Sequence, residues 1–121
     1  MVKVMIVEDS NLMQAVITNF LKKDAPSVSV ITAKDGQEGV EKYRAERPDL
    51  VFMDIKMPRK DGLAALEEIR AYDPGAKVVM CTALKEPEQE ARARKAGAKG
   101  YLTKPFSRED IRRMVTENLG I

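Results

Sequence analysis

Leu50-Val51-Phe52-Met53-Asp54-Ile55-Lys56-Met57-Pro58 is the stretch from which the rest of the chain can be read. Four apolar residues run straight into an aspartate, and a proline four positions later ends regular structure. The run is short, β-prone and apolar throughout, the pattern of a strand buried on both faces of a parallel sheet. Asp54 then stands at the carboxyl end of that strand, the edge where open α/β sheets bind ligands. An aspartate in that place can also do no more than cap a loop. Its neighbours in the fold decide between the two.

Upstream, residues 2–7 form an apolar β-prone run broken only by Lys3, and it ends in Glu8-Asp9. Ser10 or Asn11 is a suitable N-cap for a helix over 12–23, where Leu12, Met13, Val16, Ile17, Phe20 and Leu21 recur at helical spacing. A second strand over 28–33 follows the break at Pro26, and Asp35-Gly36 turns into a helix over 37–47 with Val40 and Tyr43 on its apolar face. Downstream of Asp54, Asp61-Gly62 opens a third helix carrying Leu63, Leu66 and Ile69. Residues 77–81 make a fourth strand before Thr82-Ala83, and Pro87 opens a polar helix reaching about residue 96. A last strand over 100–103 leads to Lys104-Pro105-Phe106, and Ser107 caps a final helix with Ile111, Met114 and Val115 inside. Asp110 is a shorter acid than the Glu or Gln of a full capping box. Five strand-then-helix units imply one α/β domain over 1–121, a parallel sheet with right-handed crossovers and helices on both faces.

Composition narrows the function. With 121 residues, 44% hydrophobic and 33% charged, the chain suits one soluble globular domain with its own core. A net charge of +2 gives no electrostatic case for nucleic-acid binding. No apolar run approaches the roughly 18 residues of a membrane span, and the first residues lack a signal peptide's layout. The single cysteine, Cys81, excludes an internal disulfide and fits a reducing, cytoplasmic setting. There is no histidine, so the usual zinc ligand, the usual general base and any phosphoimidazole must come from another molecule.

The chemistry follows from what falls at the strand ends. Glu8 and Asp9 follow strand one, Asp54 ends strand three, Thr82 strand four and Lys104 strand five, so all five gather on one edge of the sheet. Three carboxylates held together repel unless a cation neutralises them. With oxygen ligands alone the natural choice is Mg²⁺ or Mn²⁺. Lys104 and the Thr82 hydroxyl then offer donors to an anion beside the metal. A metal, an ammonium and a hydroxyl around one carboxylate suit a phosphoryl group, with Asp54 as nucleophile. Taken singly, each residue has an ordinary reading: a strand-end threonine, a solvated lysine, an acidic helix start.

Glu8-Asp9, Asp54 with Met57-Pro58 and Gly62, Thr82-Ala83 and Lys104-Pro105-Phe106, in this order and spacing, resemble the receiver domain of two-component response regulators. The resemblance covers the whole chain and is to the single-domain, chemotaxis-regulator-like kind. It implies a flavodoxin-like doubly wound sheet of strand order 2-1-3-4-5. It implies that Asp54 takes a phosphoryl group from a phosphohistidine on a sensor kinase or phosphotransfer protein. It implies Mg²⁺ held by Asp9, Asp54, the backbone carbonyl of Lys56 and Glu8, the last through a water. Thr82 and Lys104 would contact the phosphoryl oxygens, Tyr101 would be the aromatic that turns inward with Thr82, and the Lys104-Pro105 bond would be cis. The surface of the fourth helix, fifth strand and fifth helix would meet a downstream protein. Arg92, Arg94, Lys95, Lys99 and Arg112 make that surface basic, which suits an acidic partner, although solvated helix faces carry the same residues. The chain would be a phosphoacceptor with slow self-dephosphorylation rather than a turnover enzyme, with no direct contact to nucleic acid or membrane.

Two departures matter. Glu8 stands where aspartate is also common, and Lys56 and Leu84, two places after Asp54 and Thr82, occupy positions that in the family influence how fast the phosphoryl group is lost. A haloacid-dehalogenase-type phosphatase would need a second aspartate where Lys56 stands. A P-loop protein would need G-x-x-x-x-G-K-[ST], which is absent, and a flavin module would meet repulsion from Glu8-Asp9. Two alternatives stay open: a receiver-fold scaffold acting without phosphorylation, and a receiver belonging to a longer regulator. The lack of an output segment after the last helix favours a single-domain regulator acting by protein contact.

Overall fold

Parallel strands need long crossovers, and each apolar run of this chain is followed by a helix long enough to supply one. The computed structural model describes residues 1–83 and 85–121. In chain order the elements are β1 (Lys3–Val7), α1 (Asn11–Asp24), β2 (Ser29–Ala33), α2 (Gly36–Glu46), β3 (Leu50–Met53), α3 (Gly62–Tyr72), β4 (Val78–Thr82), α4 (Pro87–Lys95), β5 (Gly100–Thr103) and α5 (Arg108–Leu119). The strands pair in parallel in the order β2-β1-β3-β4-β5, the flavodoxin-like order expected.

The two-residue period of each strand sorts its side chains between two half-cores. Met5, Val7, Val51, Met53, Val78 and Met80 pack with α2, α3 and Ala93 of α4. Val4, Ile6, Leu50, Phe52, Val79, Cys81 and Leu102 pack with α1 and α5. Every residue of β1 after Lys3, and all of β3 and β4, is buried, as a sheet covered on both faces requires. Burial on this scale is worth roughly 1.5–3 kcal/mol for each large side chain such as Phe52 or Ile6. No helix among the described residues is long and apolar enough to cross a membrane.

Capping fixes where the helices begin. Ser10, Asp35, Asp61 and Ser107 each accept a hydrogen bond from the backbone three residues on. The expectation for Ser107 is exceeded: Asp110 reaches back to the Ser107 amide (2.9 Å) while the Ser107 hydroxyl accepts from the Asp110 amide (3.1 Å), so the shorter acid completes a capping box. The second helix starts at Gly36 rather than 37 because Asp35 is its cap. The fourth strand runs one residue later than the spacing suggests, because Thr82 pairs with Thr103. The Lys104-Pro105 bond is cis, as expected.

Candidate functional site

Register builds the site. Val7 lies beside Met53, and the ladder continues one step further, with the Asp54 amide donating to the Val7 carbonyl (3.0 Å). Glu8 and Asp54 are therefore neighbours at the carboxyl edge. On the other side, the Lys104 amide donates to the Thr82 carbonyl (2.8 Å), which sets Lys104 at the same edge. Glu8, Asp54 and Lys104 continue the alternation of the strand residues that face α1 and α5. Thr82 and Tyr101 follow the opposite alternation, and Tyr101 packs on the α3–α4 half-core. The predicted site residues thus divide in two sets across the sheet edge.

In the first set, Lys104 Nζ donates to Glu8 Oε1 (2.8 Å) and to Asp54 Oδ2 (3.2 Å). Both carboxylates are buried; Glu8 is 3% and Asp54 8% exposed. The remaining oxygens are also engaged: Glu8 Oε2 accepts from the Ser10 amide (3.0 Å) and Asp54 Oδ1 from the Ile55 amide (2.7 Å). Asp9 is exposed, yet Glu8, Asp9 and Asp54 each place a carboxylate oxygen within 4.8 Å of the others. Burial lifts the Glu8 carboxyl above the usual range, opposed by the hydrogen bonds from Lys104 and Ser10 and reinforced by the charge of Asp54. Burial pulls the Lys104 ammonium down, but its hydrogen bond to Glu8 and the charge of Asp54 outweigh that and its net direction is up. Among the described residues one cation, Lys104, bonds two of these three acids, which leaves the cluster short of positive charge.

In the second set, Thr82 is buried and Tyr101 half-buried. Burial, with the charges of Glu90, Glu86 and Asp54, pushes the Tyr101 phenol up. Lys56 presents an exposed side chain two residues beyond Asp54. Leu84 lies outside the described residues.

The loop between β3 and α3 holds Asp54 in place from the other end. The Gly62 amide donates to the Ile55 carbonyl (2.7 Å), and a Cβ on Gly62 would sit 1.8 Å from the Asp54 carbonyl oxygen, so only glycine fits. The same loop is tied to α2 by Arg59, whose guanidinium grips Asp35 through Nε (2.9 Å) and Nη2 (3.2 Å). Sequence reading takes Asp35 only as a turn and has no role for Arg59. An arginine in the left-handed region, φ 66°, carries no signal in the sequence that would reveal it.

The basic surface expected on α4, β5 and α5 is largely neutralised. Arg92 pairs with Glu67 of α3 (2.9 Å), Arg94 with Glu90 (2.9 Å), and Arg112 with Glu109. Acids three or four residues away on the same helix supply two of these partners. Among the described residues only Lys95 and Lys99 of the five have no acidic partner within salt-bridge distance.

A doubly wound parallel sheet with three carboxylates and one lysine at its carboxyl edge defines, by fold and site together, an α/β domain with an acidic site where open sheets of this kind bind ligands. The sequence model of the response regulator receiver domain matches residues 4–116. The chain is 42% identical over 111 residues to the chemotaxis protein CheY of Listeria monocytogenes serovar 1/2a, covering 92% of each chain. To CheY of Halobacterium salinarum it is 38% identical over 117 residues, 97% of this chain and 96% of the relative. It also superposes on a chain of the crystal structure of the CheX-CheY-BeF3-Mg+2 complex from Borrelia burgdorferi, with TM-score 0.90 and 32% identity over 96% of this chain and 87% of the other. The chain belongs to the response regulator receiver domain family, and is a receiver domain of the CheY type.

Proposed function

We propose that Asp54 accepts a phosphoryl group from a phosphohistidine on a sensor kinase or phosphotransfer protein, and that the resulting change is read on the α4–β5–α5 surface by a downstream protein. The observation that carries this reading is the Lys104 ammonium set between the buried carboxylates of Glu8 and Asp54, with Asp9 completing the acidic cluster. The donor set is oxygen only and short of positive charge, which fits a hard divalent cation. Asp9, Asp54 and the Lys56 carbonyl would hold Mg²⁺, for which Mn²⁺ is a substitute. Glu8, whose two oxygens already serve Lys104 and Ser10, would reach it through water. Bound there, the ion would neutralise charge developing on the transferred phosphoryl oxygens.

In the transfer, an Asp54 oxygen forms a bond to phosphorus as the donor's N–P bond breaks. The departing imidazole keeps the electron pair and takes a proton from solvent. A loose transition state of this kind needs alignment and charge more than a base, so a chain without histidine is suited to it. Lys104 turns its ammonium from Asp54 Oδ2 to a phosphoryl oxygen, and the Thr82 hydroxyl donates to another. Hydrolysis later returns the Asp54 carboxylate and releases inorganic phosphate, so the protein cycles as a slow self-dephosphorylating acceptor rather than an enzyme acting on an external substrate. Such an exchange belongs in the cytoplasm and signals through protein contact rather than through nucleic acid.

The test is incubation with a small acyl phosphate and Mg²⁺ followed by mass spectrometry. The expected result is one phosphoryl adduct on Asp54, absent in Asp54→Asn and strongly reduced in Asp9→Ala. An adduct of equal yield without divalent cation, or on another residue, overturns the reading.

A further inference from the structure

The loop from Ile55 to Asp61 carries the proposed Lys56 ligand, and it is tied at its far end to α2 by contacts that the proposed chemistry does not itself require. Arg59 adopts φ 66°, a backbone conformation that glycine takes without strain and that other residues keep only where their surroundings over-determine it. Here the side chain repays the backbone: Nε and Nη2 of Arg59 donate to the two oxygens of Asp35, at 2.9 and 3.2 Å. Asp35 is fixed in turn, because its Oδ1 caps α2 by accepting from the Glu38 amide (2.8 Å). Beside this fork the Gly36 amide donates to the Lys60 carbonyl (3.0 Å), and a Cβ on Gly36 would lie 2.1 Å from that oxygen. Two strands of contact, one ionic and one backbone, therefore hold residues 59 and 60 against the start of α2.

We infer that Asp35 and Arg59 are a positioning pair: their bidentate contact fixes the β3–α3 loop so that the Lys56 carbonyl stands ready beside Asp54. The inference rests on the metal site proposed above. With Arg59 largely exposed and Asp35 mostly covered, the pair adds only modestly to global stability. Its effect is on the population of the loop conformation that can bind metal, because affinity falls in proportion to that population.

The experiment compares wild type with Arg59→Gly, Arg59→Lys, Asp35→Asn and the Arg59→Gly/Asp35→Asn double variant. Glycine keeps the left-handed backbone, and asparagine keeps the cap on α2, so each change removes the fork while sparing the fold. Two quantities are read: hydrogen exchange of the Gly36 amide in metal-free protein, and Mg²⁺ affinity by titration with the ion alone. Arg59→Gly and Asp35→Asn are each expected to speed Gly36 exchange and weaken Mg²⁺ binding by about two- to fivefold. The double variant should be no worse than either single one, since the two residues act as a unit. Arg59→Lys should recover part of the affinity. Wild-type exchange and affinity in Arg59→Gly, or losses that add in the double variant, overturn the inference. Wild type that binds no Mg²⁺ while Gly36 exchange still responds to Arg59→Gly removes the proposed function, and leaves the pair a structural tie only, which overturns the inference as well.

Discussion

Among the described residues Lys104 is the one cation shared by two buried carboxylates, and its removal separates stability from chemistry. Lys104→Met leaves Glu8 and Asp54 buried without their common donor and is expected to cost roughly 1.5–3 kcal/mol at neutral pH. The sign with pH follows from Glu8. Its carboxyl titrates above the ordinary range in the folded chain, so the folded state holds its proton where the unfolded chain has lost it. Stability from this group therefore falls as pH rises from the ordinary carboxyl value through the raised one. Without Lys104 the rise is larger, and the deficit of the variant should deepen in urea melts as pH climbs above the ordinary carboxyl range. A deficit independent of pH would mean that packing, not charge, is what Lys104 supplies. Glu8, Asp9, Asp54 and Lys104 were all legible in the sequence, because a strand's end determines its edge. The fork of Lys104 onto Glu8 and Asp54, and that of Arg59 onto Asp35, were not, because rotamers and a left-handed arginine leave no periodic trace.

Among the elements, the C-terminal ends of α2 and α3 are joined through Tyr43 and Asp73. Tyr43 reads in the sequence as one more apolar residue of its helix, and it is indeed buried, yet its hydroxyl donates to Asp73 Oδ2 at 2.7 Å just beyond α3. That hydrogen bond, with the Gly75 amide next, holds the Asp73 carboxyl below its usual value. A depressed carboxyl contributes stability above its unfolded value and loses it as pH falls through the folded one. Tyr43→Phe should accordingly lower stability by about 1 kcal/mol at neutral pH, with the gap to wild type closing in acid below the ordinary Asp range. Thermal melts across that range check it; a constant gap would assign the loss to the cavity at the ring edge. The elements themselves were read almost residue for residue, since apolar periodicity and caps are local. The one-residue offsets at β1, β4 and α2 arise where a ladder partner or a cap, neither visible locally, sets the boundary.

For the molecule as a whole, the alternation of strand side chains parts Glu8, Asp54 and Lys104 from Thr82 and Tyr101, so the proposed signal would pass from one side of the sheet edge to the other. The proposed carrier is the Thr82 hydroxyl. Thr82→Ala should still accept phosphate, because Asp54, Asp9 and Lys104 remain. It should lose most of the gain in partner affinity produced by beryllofluoride, since a charge-assisted hydrogen bond of roughly 1.5–3 kcal/mol is comparable to a typical allosteric coupling. An undiminished gain in Thr82→Ala would show that the coupling leaves by another route. The fold class was legible in five repeated units, and the strand order only in the resemblance to receiver domains; the division of the site across the sheet required the register, which only the paired strands reveal.

The paired charges on α4 and α5 have a kinetic consequence. With Arg92, Arg94 and Arg112 each matched by a glutamate, the face keeps only the charges of Lys95 and Lys99 of its five cations and projects a weak field that fades beyond about one Debye length. A partner approaching it is not steered from afar. Encounter should proceed at an unsteered rate of roughly 10⁵–10⁶ M⁻¹s⁻¹, and stopped-flow association should change little with added salt. Discrimination between partners then resides in how long each complex lasts, not in how fast it forms.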